Sequence, residues 1–319
     1  MKTVLKVFLV LIGILVLAVG GMAAYISFSG IPTYDPPPKI DLNVEPVPSR
    51  VEQGRRIANM VCVACHLDPK TNRLTGKKML DMPKEFGVAY SANITQHPEK
   101  GIGKWTDGEL YTLFRTGLKP DGSYTPPWMV KFPLMADEDV YSIIAFLRSD
   151  APILTATETT PPPSEPSFLM KFLSRVAFKP LPMPSAPIAL PDTNNPVAVG
   201  KYLALGVFDC YGCHSINFEK TNPLDPEKSG GFFGGGNPML NMEGELITSP
   251  NITPDKETGI GNWSEADFIQ AVKYGKKPDG KAIRYPMVPY AELSRKELSA
   301  IFAYLKTVPP LNHKVDRPE

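Results

Sequence analysis

Two pentapeptides of the form Cys-X-X-Cys-His, Cys62-Val63-Ala64-Cys65-His66 and Cys210-Tyr211-Gly212-Cys213-His214, use all four cysteines of this 319-residue chain. The pattern is the attachment signature of c-type haem. Each thiol adds to one vinyl group, and the histidine that follows is carried under the ring as the proximal iron ligand. Two motifs imply two covalently bound haems, with Cys62, Cys65, Cys210 and Cys213 as thioether links and His66 and His214 as iron ligands. Disulfides or a zinc site would not require a histidine directly after the second cysteine of each pair. The motif also constrains the fold, because a haem supplies much of the apolar core that a domain of about 100 residues lacks.

The N-terminus carries Lys2 and Lys6, then an uncharged apolar run of 20 residues, Val7–Ile26. That run is long enough to cross a bilayer core of about 30 Å. The preceding lysines favour a cytoplasmic N-terminus and an exported remainder, where covalent haem attachment belongs. A cleaved signal peptide is the rival reading, with small residues near Gly20, Gly21, Ala23 and Ala24 as a cleavage site. Residues 1–30 are therefore an anchor or signal segment. Residues 31–48 hold six prolines and read as an extended stalk that lifts the next domain off the membrane. No later segment is apolar enough to span. With 34 basic and 33 acidic residues in the chain, electrostatics argue against a nucleic-acid partner.

The rest is an internal duplication. Asn93-Ile94-Thr95, Gly101-Ile102-Gly103, Trp105 and Pro120-Asp121-Gly122 each recur 158 residues later, as Asn251-Ile252-Thr253, Gly259-Ile260-Gly261, Trp263 and Pro278-Asp279-Gly280. The haem motifs are 148 apart, so the second copy holds about ten extra residues before its Asn-Ile-Thr. The glycine-rich stretch 230–236 lies in that interval and reads as a loop. Helical spacing is expected over Val51–Met60 and Val197–Leu205, both running into the haem motifs. It is also expected from Thr106 to Gly117 and from Ser264 to Gly275, between an N-cap and a C-terminal glycine, and over Asp137–Leu147 and Ser294–Leu305. No strand is convincing. The fold class is mainly α, with two tandem haem domains, 49–150 and 196–319, after an N-terminal transmembrane helix. Between them, 151–195 is a proline-rich linker. It contains an amphipathic helical pattern, Ser167–Phe178, whose apolar face is expected to pack between the two domains. The alternative is a membrane-surface helix beside the anchor.

The sixth iron ligand separates electron transfer from substrate chemistry. Met129 and Met287 each lie nine residues after the proline of Pro-Asp-Gly, in Pro-rich loops before the last helix of each copy. They are the candidate axial ligands. Met135 competes locally, but its counterpart is Leu293, which cannot ligate. Only His97 and His313 remain for bis-histidine ligation, and they are not repeat-matched. Trp105 and Trp263 are candidates to donate an indole N–H to a haem propionate. Arg115 and Lys273, also matched, are candidates to balance its charge.

The run Asn-Ile-Thr, Gly-Ile-Gly, Trp, acidic helix, Gly, Pro-Asp-Gly, Met and a helix ending Ala303-Tyr304-Leu305 (Ala145-Phe146-Leu147 in the first copy) resembles class I cytochrome c domains. In particular it resembles the cytochrome c subunits of bacterial membrane-bound alcohol, gluconate and sorbitol dehydrogenases. The resemblance covers most of 49–310. It implies two tandem cytochrome c-like domains, His66/Met129 and His214/Met287 ligation, an exported location at the inner membrane with the haems facing the periplasm, and electron transfer. The chain departs from those subunits in carrying two haem motifs where three are common, and in an N-terminal anchor. Its redox partner is expected among a dehydrogenase, a quinol-oxidising complex, an oxidase or a soluble cytochrome. The competing class is a dihaem enzyme, a peroxidase or thiosulfate dehydrogenase, with one labile haem ligand.

Overall fold

The computed structural model describes residues 2–316. Helix α1 (Lys2–Ser29) exposes its apolar side chains along nearly its whole length and meets the body only near its end, where Ile26 is buried. At 1.5 Å per residue its 28 residues extend about 42 Å, enough to cross a bilayer core. The first half contains α2 (Pro48–Val61), α3 (Val63–His66), α4 (Asp107–Thr116) and α5 (Asp137–Leu147). Then comes α6 (Phe168–Val176). The second half repeats the set as α7 (Pro196–Tyr202), α8 (Cys210–His214), α9 (Glu265–Tyr274) and α10 (Arg295–Leu305).

Local chemistry sets these boundaries. Thr106 and Ser264 cap α4 and α9 through reciprocal bonds with Glu109 and Asp267, and Gly117 and Gly275 end those helices in the left-handed conformation. In each half the first helix crosses the last at a glycine. A β-carbon on Gly54 would lie 1.8 Å from the carbonyl oxygen of Ser142, and one on Gly200 would lie 1.9 Å from that of Ala300. Only hydrogen fits there, so α2 meets α5, and α7 meets α10, backbone to backbone.

Several expectations change. Regular helix stops at Tyr202, and Leu203–Val207 forms a π-helical turn. Gly54 precedes its haem motif by eight residues and Gly200 by ten. The wider turn accommodates that surplus. Two short antiparallel pairs exist where no strand was expected: β1 (Gly87–Val88) with β2 (Glu165–Pro166), and β3 (Pro238–Leu240) with β4 (Leu246–Thr248). Residues 31–48 do not form a free stalk. Tyr34 N–H donates to Gly122 O at 2.9 Å, Val44 N–H donates to Asp107 Oδ2 at 2.9 Å, and the Val44 side chain is in the core. The linker is also laid against the body, with Asp137 N–H donating to Ile188 O and Leu181 N–H to Thr116 O. Proline stiffens both segments, and burial of occasional apolar residues fastens them. Helix α6 does not pack between the halves; its neighbours are the end of α1, the turn Lys84–Phe86 and β2.

The halves share one apolar core and meet through equivalent residues. Arg56 on α2 pairs with Glu297 on α10 at 2.9 Å. Tyr202, placed on α7 as Arg56 is on α2, donates to Asp139, which lies 158 residues before Glu297. The contact is thus self-complementary, as in a two-fold dimer. Arg55 adds an ion pair to Glu292 at 3.0 Å.

Candidate haem-binding site

In the second half a cavity of about 300 Å³ opens beside α8. Cys210, Cys213, His214, Met287 and Trp263 all line it. Its walls are apolar, including Ile252, Ile260, Phe268 and Leu305. Two thiols, an imidazole and a thioether around one apolar space suit a flat apolar macrocycle with a central iron, so the residues fit the group that the motif implies.

The cysteine–histidine motif is positioned by backbone pairing. In the first half Cys62 ends α2 and begins α3, and His66 closes that turn. His66 Nδ1 lies 2.8 Å from Ala92 O, and His214 Nδ1 lies 2.9 Å from Pro250 O. A carbonyl only accepts, so Nδ1–H is the donor and the neutral ring carries its lone pair on Nε2. Both carbonyls belong to the residue just before the repeated Asn-Ile-Thr. That motif is held by its asparagine, whose Oδ1 accepts from Thr95 N–H at 2.8 Å in one half and Thr253 N–H at 2.9 Å in the other. Burial lowers the pKa of His66. Burial also pushes the Cys62, Cys210 and Cys213 thiols up to about 12 and raises Cys65.

Met129 and Met287 occupy the same turn. Met129 N–H donates to Pro126 O and Met287 N–H to Arg284 O, both at 3.1 Å. Met135 and Leu293 are both buried in the core at the approach to the last helices. Trp263 faces the cavity, and Trp105 packs half-buried against the core. Arg115 and Lys273 are equivalent, and both donate to main-chain carbonyls ahead of the last helix. Arg115 is fully buried, and its Nη1 donates to Phe132 O and Met135 O at 2.6 Å, with Nη2 on Asp137. Lys273 Nζ donates to Ala291 O at 2.8 Å and to Leu293 O. Both side chains therefore clamp the segment that returns from the methionine turn to the last helix.

Two cationic residues at the cavity, Lys277 and Arg284, are not among the sequence candidates. Lys277 has a match 158 residues earlier in Lys119, so the repeat could have flagged it. Arg284 matches Pro126 and carries no such signal. A further contact joins the halves: Tyr285 Oη donates to Asp81 Oδ2 at 2.9 Å.

Comparison with known proteins agrees with this geometry. The family model for cytochrome c matches residues 200–309. The cytochrome c subunit of a quinone-dependent alcohol dehydrogenase from Gluconacetobacter polyoxogenes is 30% identical over 273 residues, covering 82% of this chain and 56% of that one. The fructose dehydrogenase cytochrome subunit of Gluconobacter japonicus is 29% identical, covering 78% of this chain and 50% of its own length. The chain thus spans about half the length of these dehydrogenase subunits. A dihaem cytochrome c-type protein of Cereibacter sphaeroides is 30% identical over 263 residues, covering 78% of this chain and 82% of the relative. With cysteines, histidine and methionine gathered on one apolar cavity and a relative matched over most of its length, the chain belongs to the cytochrome c family, whose domain implies covalently bound haem c.

Proposed function

We propose that this chain is a membrane-anchored dihaem cytochrome c that relays electrons on the periplasmic side of the inner membrane. Residues 49–150 and 196–319 form its two haem domains. Cys62 and Cys65 would hold one haem, and Cys210 and Cys213 the other. His66 with Met129, and His214 with Met287, would be the axial ligands. The bound group supplies a one-electron ferric–ferrous couple. The protein tunes it. The carbonyls of Ala92 and Pro250 orient the imidazoles, the soft thioethers favour the reduced state, and the apolar walls exclude water. With His66 and Met129 at one iron and His214 and Met287 at the other, no open position would be left for a substrate.

The observation that carries the relay reading is the position of Asp81. Its Oδ2, in the first half, accepts from Tyr285, two residues before Met287 in the second, at 2.9 Å. That bond, with the apolar core the halves share, holds the two sites against one another and supports transfer between them. The relatives named as cytochrome subunits of alcohol, fructose and gluconate dehydrogenases support a dehydrogenase or quinol-oxidising complex as donor. A terminal oxidase or soluble carrier would accept. The test is a carbon monoxide difference spectrum of the reduced full chain, with haem counted per polypeptide. Two haems and no CO complex are expected. CO binding at either haem would replace the relay with a catalytic or sensing role.

A further inference from the structure

Helix α6 is left unexplained by electron transfer. Its Met170 and Ser174 are buried against the body. On the opposite face Phe168, Leu169, Phe172 and Val176 are 48%, 40%, 40% and 60% exposed. Four large apolar side chains on one face of a nine-residue helix are more than scattered surface residues. The cations of this segment are Lys171, Arg175 and Lys179, and 168–179 contains no acidic residue.

Two of those cations tie α6 to the end of α1. Lys171 Nζ donates to Ser27 O at 2.7 Å, and Arg175 donates to Ser29 Oγ at 2.5 Å with its guanidinium 5.6 Å from the centre of the Tyr25 ring. Helix α6 is therefore held at the level where α1 ends, with its apolar face turned away from the body. A cationic amphipathic helix in that place has the pattern of one lying in the boundary between lipid headgroups and acyl chains. Long basic side chains can keep their charged heads at the headgroup level while apolar neighbours go deeper.

We infer that α6 is a second membrane contact, an in-plane helix whose Phe168, Leu169, Phe172 and Val176 enter the lipid surface beside α1. The inference rests on the reading of α1 as a membrane span. It has a consequence for the first haem site. Ser167 N–H donates to Phe86 O and Tyr90 N–H to Ser164 Oγ, while Ser91 Oγ donates to Cys65 O at 2.7 Å. A chain of short bonds thus links the strand leading into α6 to the first attachment motif, so α6 sets the height and tilt of that site above the bilayer.

The test uses the full chain in bilayers of phosphatidylcholine and phosphatidylglycerol. Nitroxide labels are placed singly by Phe172→Cys, Val176→Cys and Val16→Cys, the last at the middle of α1. The unsubstituted protein reports any labelling of native cysteines, and an unchanged visible spectrum certifies the fold of each variant. The expected result is that all three labels collide more with oxygen than with a water-soluble nickel chelate, with Val16→Cys the deepest. Labels at 172 and 176 in water while that at 16 is in lipid would overturn the inference alone. Labels at 172 and 176 shielded from both reagents would mean a protein partner covers the face, which also overturns it. Water contact at all three would remove the inference together with the reading of α1.

Discussion

The guanidinium of Arg115 is held by two main-chain carbonyls and the carboxylate of Asp137, which also accepts from Tyr111 Oη at 2.7 Å. Removing it strands polar groups that burial has cut off from water. Arg115→Ala is expected to cost about 3–5 kcal/mol, the range for breaking a buried charge pair. Lys273→Ala removes a half-buried clamp on two carbonyls and is expected to cost about 1 kcal/mol. Urea unfolding of the two variants checks the order, and equal losses would show that the two clamps are interchangeable after all. The equivalence of these residues was legible in the sequence, because they are 158 positions apart in register with the other repeat pairs. Their destination was not. A long flexible stem can reach either the cavity or the segment before the last helix, and spacing does not say which.

Helices α4, α9 and α10 could be read from their caps, since a threonine or serine followed by an acid, or a glycine at the far end, acts within one turn of chain; α5, capped by Ala136, was legible from its acidic first turn and apolar spacing. The crossings at Gly54 and Gly200 could not. Gly20 and Gly21 sit inside α1, where an added β-carbon would meet nothing within 4 Å, whereas one on Gly200 faces a carbonyl at 1.9 Å. In sequence both are simply glycines inside helices. Gly200→Ala should push α7 off α10 and cost at least the roughly 1–3 kcal/mol of core overpacking. The checks are the thermal midpoint and the haem content of the purified protein. A wild-type midpoint would show that α7 can shift at no cost. The π-helical turn at Leu203–Val207 was hidden for a related reason: the surplus residues are visible only once the two crossing glycines are known to be equivalent.

Across the whole molecule, the duplication was legible but its self-complementary docking was not, because the pairing residues differ in kind. One side uses Arg56 with Glu297, and the other uses Tyr202 with Asp139. Burial raises the pKa of Asp139, and the bonds from Tyr202 and Gln53 pull it back down. A carboxyl raised in the fold favours the folded state below its ordinary value of 3.8 and loses that contribution as pH rises through the folded value. Tyr202→Phe removes a donor to the ionised form, so its cost should grow as pH rises from about 4 to neutrality. About 1–3 kcal/mol at neutral pH is expected, with little cost in acid. Denaturant midpoints measured at the two pH values check this, and a pH-independent loss would mean that Asp139 stays protonated at the interface.

The fastening of residues 31–48 along the first half bears on how a partner meets this protein. Left free, 18 residues of such proline-rich chain could carry the body up to about 55 Å from the point where α1 ends. Bonded at Tyr34 and Val44, the segment has almost no slack. A tethered arm samples a volume and finds its partner by swinging. With α1 in a membrane as proposed, a protein seated this firmly would present one fixed face, and the search would fall to lateral diffusion, with encounter frequency set by surface density in two dimensions rather than by the length of a leash.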